Sequence, residues 1–244
     1  MKEFIYSRNA VYEALRARRR QFFRLEVANS AQEKGRLTEI IQLAEKRKIP
    51  ILRAPRAGLD KHHPGHQGVV LEASGYPYCA LADIFDRAKE RGEPLFVLLL
   101  DTLQDPQNLG TLLRTAEAVG AHGVVIPLAR TAEVTPAVVN ASSGASEHLL
   151  IAQSNLHQAI DALKEAGAWT IGLEGSDQAQ GPDEIRLDGA IGLVVGSEGT
   201  GMRPLTAKSC DILMKLPMKG QIESLNAAVA GSVALYLAYL ARNR

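Results

Sequence analysis

The sequence is poor in several things at once. Of its 244 residues only two are cysteine and one is tryptophan, and aromatic residues make up 5%. Cys79 and Cys210 stand far apart, with no metal-ligand spacing around either. That excludes a disulfide-rich scaffold and a cysteine-based zinc site, and fits two reduced thiols in a cytoplasmic protein with no metal. No apolar run approaches the roughly 20 residues of a membrane span, and Leu95–Leu100 falls far short of it. The opening residues, Met1-Lys2-Glu3-Phe4, include an acid and no apolar h-region, so no signal peptide is expected. Internal repeats and low-complexity tracts are absent as well. What is present is a 46% share of hydrophobic residues, enough for a real core, in a length that suits two small domains.

Net charge is also scarce, at +1, but it is unevenly spread. Residues 1–61 hold 15 Lys and Arg against 7 Asp and Glu, a net +8. The remaining 183 hold 13 against 20, a net −7. A basic N-terminal part suits an anionic partner such as RNA, and the acidic remainder does not need one. The cluster Arg16, Arg18, Arg19, Arg20 and Arg24 is the candidate phosphate grip; its alternative is a solvated basic face.

The N-terminal part reads as a small α/β unit. Asn9 is placed to cap a helix from Ala10 to about Arg18. Phe22–Val27 alternates like a strand, Leu37, Ile40, Ile41 and Ala44 recur at helical spacing, and Ile49–Leu52 and Gly68–Glu72 read as short strands. Ser74-Gly75-Tyr76-Pro77 breaks the pattern. The expected division is a domain over 1–73, a linker and leading helix over 74–93, and a second domain over 94–244. In that second part strands (Leu95–Leu100, Gly123–Pro127, Trp169–Leu173, Ile191–Val195, Ile212–Leu216) alternate with helices (Leu109–Val119, Leu156–Ala166, Leu225–Ala241). Continuous apolar strands alternating with helices predict a parallel sheet covered on both faces, with its ligand at the strands' carboxyl ends.

Three segments at strand ends are unusual. Asp105-Pro106-Gln107-Asn108-Leu109-Gly110 precedes a helix carrying Arg114, with Asn108 positioned as a cap. Gly196-Ser197-Glu198-Gly199-Thr200-Gly201 follows an apolar strand. Its glycines admit close backbone approach to a flat or anionic ligand. Its order is neither the dinucleotide fingerprint nor a Walker loop. The third, Leu216-Pro217-Met218 through Ser224-Leu225-Asn226-Ala227-Ala228, is a loop with Ser224 placed to cap a helix rich in small residues. For each segment, taken alone, a plain structural role is the competing reading.

Together, and in this order, the three segments resemble the signature motifs of the SpoU (TrmH-like) family of RNA methyltransferases, over about residues 94–244. Tyr6–Leu15 and His66-Gln67-Gly68-Val69 resemble the small substrate-binding domain often attached to that family, similar in fold to a ribosomal protein of the L30 type. The whole looks most like the bacterial subgroup that methylates a guanosine of 23S rRNA. The resemblance implies S-adenosylmethionine as methyl donor, an RNA ribose 2′-hydroxyl as acceptor, a C-terminal trefoil knot despite the rarity of such threading, and a homodimer through the catalytic domain. It implies that Arg114, Asn108, Glu198, Ser224 and Asn226 form the catalytic set. Main-chain groups of Leu173, Gly196, Leu216 and Leu225 would hold the cofactor. Where many relatives carry a Val-Ser pair after Asn226, this chain has Ala227-Ala228.

Neutralising an arginine at pH 7 from a pKa of about 12.5 or more costs roughly 8 kcal/mol. Arg114 is therefore expected to orient the hydroxyl and steady the alkoxide rather than act as a base, with an RNA phosphate available for the proton. Two alternatives compete: the same chemistry on tRNA, and a non-catalytic rRNA-binding assembly factor.

Overall fold

The computed structural model describes residues 2–199, 201–222 and 224–243; Thr200 and Glu223, inside two of the unusual segments, lie outside them. The chain forms two compact units. One comprises Met1–Pro77 with Glu133–His148, the other Tyr78–Ala132 with Leu149–Arg244.

The first unit runs β1 (Lys2–Tyr6), α1 (Arg8–Ala17), β2 (Phe22–Ala28), α2 (Arg36–Lys46), β3 (Ile51–Ala54), α3 (Arg56–Asp60) and β4 (Val69–Ser74). Its sheet has the order β1-β4-β2-β3. β4 is antiparallel to both β1 and β2, and β2 is parallel to β3. β1, β2 and β3 therefore point the same way, and the helices between them, α1 and α2, both run back against them. The two helices pack side by side and parallel, and each ends at the same edge of the layer. α1 buries Ala10, Val11, Ala14 and Leu15; α2 buries Leu37, Ile40, Ile41 and Ala44. These repeats of three and four residues are what commit both segments to helix. α1 begins two residues earlier than the capping pattern suggests: Ser7 occupies the N-cap, not Asn9, and its side chain makes no capping bond. β1, at the edge of the sheet, has no counterpart in the sequence-based expectation.

Residues 133–148 join this unit through charge. The Arg20 guanidinium donates to both Glu147 oxygens, from Nε at 2.9 Å and Nη2 at 2.8 Å, and from Nη1 to Glu3 Oε2 at 2.6 Å. The Arg20 side chain is 0% exposed and that of Glu147 1%. Burial alone would depress the guanidinium pKa, but the two carboxylates outweigh it and hold it above the usual arginine value. Tyr76, buried nearby, donates its hydroxyl to the Ser146 carbonyl at 2.9 Å and accepts from Arg19 Nη1 at 2.9 Å.

The second unit contains α4 (Leu81–Arg91), β5 (Phe96–Leu100), α5 (Pro106–Ala118) and β6 (Gly123–Ile126). After α6 (Pro136–Ala141), which belongs to the first unit, come β7 (Ile151–Gln153), α7 (Leu156–Glu165), β8 (Trp169–Leu173), β9 (Ile191–Val195), α8 (Pro204–Ser209), β10 (Ile212–Met214) and α9 (Ala227–Arg242). The sheet has the order β10-β8-β9-β5-β6-β7, with every neighbouring pair parallel. β5 and β9 are buried along their whole length, as central strands covered on both faces must be. α5 packs on α9 at close range: a Cβ on Gly231 would lie 2.6 Å from Leu112 Cδ2. Thr115 Oγ1 and Ser232 Oγ meet at 2.9 Å across the same contact. The α/β fold with a helix-covered parallel sheet is thus the one the sequence predicts. No described helix is long and apolar enough to cross a membrane.

Candidate active site

Three neighbouring strands of the second unit, β10, β8 and β9, end at one side of the sheet, and the loops that follow them wall a cavity of about 460 Å³. Leu173 ends β8 and Glu174–Ser176 follow it, Val195 ends β9 and Gly196–Gly199 and Gly201 follow it, and Met214 ends β10 with Lys215 and Leu216 after it. Met218, Ser224, Leu225, Ala227 and Ala230 complete the wall. This is where a parallel sheet offers its ligand site, and the volume lies within the roughly 300–1,000 Å³ typical of small-molecule pockets.

The loop after β9 is shaped by its glycines. Ser197 and Gly201 exchange backbone hydrogen bonds at 3.0 and 3.1 Å, closing a tight turn in which Gly199 takes φ +79°. A Cβ on Gly196 would sit 2.3 Å from both Gly201 C and Met202 N, so only glycine fits there. The loop is pinned by Asp101, a fully buried carboxylate just beyond β5. It accepts from the Arg203 backbone N–H at 2.8 Å and from Arg203 Nε at 2.7 Å. Sequence reasoning passed over Asp101. An acid directly after the all-apolar run Phe96–Leu100 was the available signal.

The three unusual segments converge on one side chain. Asn226 Nδ2 donates to Asn108 Oδ1 at 3.1 Å and also to Glu198 Oε1. Asn226 Oδ1 accepts from the N–H groups of Ala228 at 2.9 Å and Val229 at 3.1 Å, which makes Asn226 the N-cap of α9. The cap is therefore not Ser224, which instead stands on the cavity wall. A comparable correction applies to α5. Its N-cap is Asp105, which accepts from Gln107 N and Asn108 N, followed by Pro106 at the first helical position, where its missing N–H costs nothing. Asn108, relieved of capping, is buried one turn in and free to meet Asn226.

Leu173, Gly196, Leu216 and Leu225, expected around a cofactor, all line the cavity, as do Glu198 and Ser224. Arg114 does not: it lies on the exposed face of α5. In the first unit, Arg16 and Arg18 are exposed, while Arg24 is tied to Glu26 at 2.7 Å and Glu72 at 3.3 Å. Arg19 is spent on Tyr76 and the Pro77 carbonyl. Arg20 departs from the expected phosphate grip, since its side chain is sealed between Glu147 and Glu3 and has no surface to offer. Lys215 and Glu174, which also line the cavity, were not anticipated.

Comparison with known proteins accords with this arrangement. The model of the SpoU rRNA methylase family matches residues 95–236, and that of the RNA 2′-O ribose methyltransferase substrate-binding domain matches residues 4–79. YacO of Bacillus subtilis (strain 168), named for the TrmH family of tRNA/rRNA methyltransferases, is 42% identical over 99% of this chain and 96% of its own. A Staphylococcus aureus (strain COL) protein named for the same family is 39% identical over 86% of each chain. Among solved structures, the SpoU methyltransferase AviRb from Streptomyces viridochromogenes, in complex with AdoMet, superposes with a TM-score of 0.80. It is 22% identical, over 99% of this chain and 91% of its own. An AdoMet-bound rRNA methyltransferase from Sinorhizobium meliloti gives 0.79 at 22% identity, over 97% and 86%. At these identities the structural likeness is one of fold. On the family match and the sequence relatives together, the chain belongs to the SpoU family of RNA methyltransferases.

Proposed function

We propose that this chain transfers a methyl group from S-adenosylmethionine to the ribose 2′-hydroxyl of a nucleotide in ribosomal RNA, a guanosine of 23S rRNA being the favoured target. The observation that carries this reading is the single junction at Asn226, which joins Asn108 and Glu198 beside a cavity at the carboxyl ends of three strands. The cavity suits the donor chemically. Leu173, Val195, Leu216 and Leu225 offer apolar walls to an adenine, Lys215 and Glu174 offer charges of either sign to an amino-acid tail, and Gly196 leaves the backbone bare. When bound, S-adenosylmethionine supplies an electrophilic methyl on a sulfonium.

The remaining work is done by the protein's own groups. Asn108, Asn226 and Glu198 hold one another, so their polar atoms are fixed before substrate arrives, and preorganisation of this kind lowers a barrier without reorganisation at the moment of reaction. Ser224 and Glu198 face the cavity and would position the ribose and its phosphate. Arg114 stands on the exposed face of α5, outside this cavity; its fork of fixed donors would orient the hydroxyl and steady the forming alkoxide of an RNA presented to that face.

Residues 1–73 would grip the RNA, and residues 94–244 would carry the chemistry. The trefoil threading of the C-terminal segment belongs to the same reading. So does a homodimer: Val229, Val233, Tyr236 and Leu240 form an exposed apolar stripe along α9 at helical spacing, the kind of surface a second copy covers. The experiment is methyl transfer from labelled S-adenosylmethionine to rRNA and to bulk tRNA, followed by alkaline hydrolysis. Label in an rRNA dinucleotide resistant to alkali is expected. Label only in tRNA would redirect the substrate, and alkali-labile label would rule out the 2′-oxygen.

A further inference from the structure

The parallel packing of α1 and α2 has an electrostatic consequence for the first unit. α1 ends in Arg16-Ala17-Arg18, and α2 ends in Lys46-Arg47-Lys48. Because both helices return against parallel strands, these two ends meet at one edge of the layer. Among the described residues, neither Arg18, Lys46, Arg47 nor Lys48 has an acid within ion-pairing distance. Lys2, Arg16, Arg20, Arg24, Arg36 and Arg53 elsewhere in the unit do, whereas Arg8, Lys34, Arg56 and Lys61 are scattered cations that also have none among the described residues. Glu45 is the one acid in the last four residues of either helix. The helix C-termini add only about half a negative charge each, so the edge stays strongly positive.

Two further observations bear on this edge. The backbone leaves α1 and α2 through residues in the left-handed region, Arg18 at φ 57° and Lys48 at φ 56°. Glycine is the usual occupant of such positions, and here each is held by a cation. Arg47 Nη1 is buried and has no hydrogen-bond partner. Burial, and then the like charge of Arg18, push the Arg47 pKa below the usual arginine value. A second cation is therefore its charged neighbour, and an anion bridging the two would relieve both.

We propose that Arg18, Lys46, Arg47 and Lys48 form a phosphate-binding rim that takes the backbone of the folded RNA substrate. The proposal rests on the RNA methyltransferase reading above and replaces the linear cluster around Arg20 with a rim assembled from two helix ends. Phosphate contacts of this type fix the position of an RNA without reading its bases.

The test is binding of purified rRNA across a salt series by the full-length protein and by Arg18→Gly/Lys48→Gly. Glycine is at ease at both backbone positions, so the double variant is expected to melt at or above the wild-type temperature. Its affinity for rRNA should fall, and the slope of log affinity against log salt should flatten by roughly 1 per cation removed, roughly 2 in all. The KM for rRNA should rise with kcat and S-adenosylmethionine affinity unchanged. Arg18→Gln/Lys48→Gln removes the same charges without the added backbone freedom and must show the same loss. Wild-type slope and affinity in either folded variant, while the wild type methylates rRNA, would overturn the rim alone. A wild type that neither binds nor methylates RNA would overturn the functional reading and the rim with it.

Discussion

Asn226 donates its side-chain N–H to Asn108 Oδ1 at 3.1 Å across a separation of 118 residues, while its own oxygen caps α9. One amide thus serves a helix end and a candidate catalytic junction at once, and the two duties can be separated. Asn226→Ala loses both, and removal of the cap should cost about 1 kcal/mol of stability. Asn226→Asp keeps the cap acceptor but confronts Glu198 with a second carboxylate. It should melt nearer to the wild type than the alanine variant does and still lose most of its methylation rate. Thermal melts paired with single-turnover methylation check this. Retained activity in Asn226→Asp would show that the donor to Glu198 is dispensable.

Gly196→Ala places a methyl group against main chain that cannot swing aside. The loop after β9 must open, and titration calorimetry should show loss of S-adenosylmethionine binding. Gly199→Ala, with nothing near its Cβ but φ +79°, is strained without crowding the loop and should bind more tightly than Gly196→Ala.

Arg20→Ala would leave Glu147 buried without its partner and Glu3 short of one. Breaking a buried pair from one side costs about 3–5 kcal/mol. The variant is therefore expected to lose stability by that order in chemical denaturation, whereas exposed Arg16→Ala should change it little. A loss of RNA affinity by Arg20→Ala at unchanged stability would contradict the buried role.

His122 accepts the Phe96 N–H on Nδ1 at 3.0 Å and meets Glu93 through Nε2 at 3.0 Å, an arrangement that needs the neutral ring. Burial pushes its pKa below the usual imidazole value, against the pull of Glu93. The unfolded chain, near its reference of about 6.5, therefore takes the proton first as pH falls. The contribution to stability is complete above about pH 6.5 and is lost as pH drops through the folded pKa. Melting temperature should decline more steeply between about pH 7 and about pH 5 in the wild type than in His122→Asn. Equal slopes would remove His122 from the pH response.

Much of this was legible in the sequence because the second unit is written in long apolar signals. Trp169–Leu173 and Ile191–Val195 form strands at the very residues the pattern marks. The short strand β7 and the edge strand β1 escaped, the one for its length and the other because Lys2–Tyr6 alternates only weakly. Helix ends were misplaced where two capable residues stand close together. Asp105 and Asn108, or Ser224 and Asn226, are alike as acceptors, and only tertiary geometry shows which one the cavity leaves for capping. The docking of residues 133–148 through Glu147 left no local trace, since a buried ion pair spans 127 residues. The basic rim was missed for a related reason: Lys46–Lys48 is unremarkable until the parallel strands bring it beside Arg18.

The most direct test is a crystal of this chain soaked with S-adenosylmethionine. Density for the whole cofactor is expected between Leu173, Gly196, Leu216 and Leu225, with the sulfonium facing the side of the cavity where Glu198 and Asn226 meet. A cofactor bound elsewhere on the chain, or no binding at saturating concentration, would contradict it.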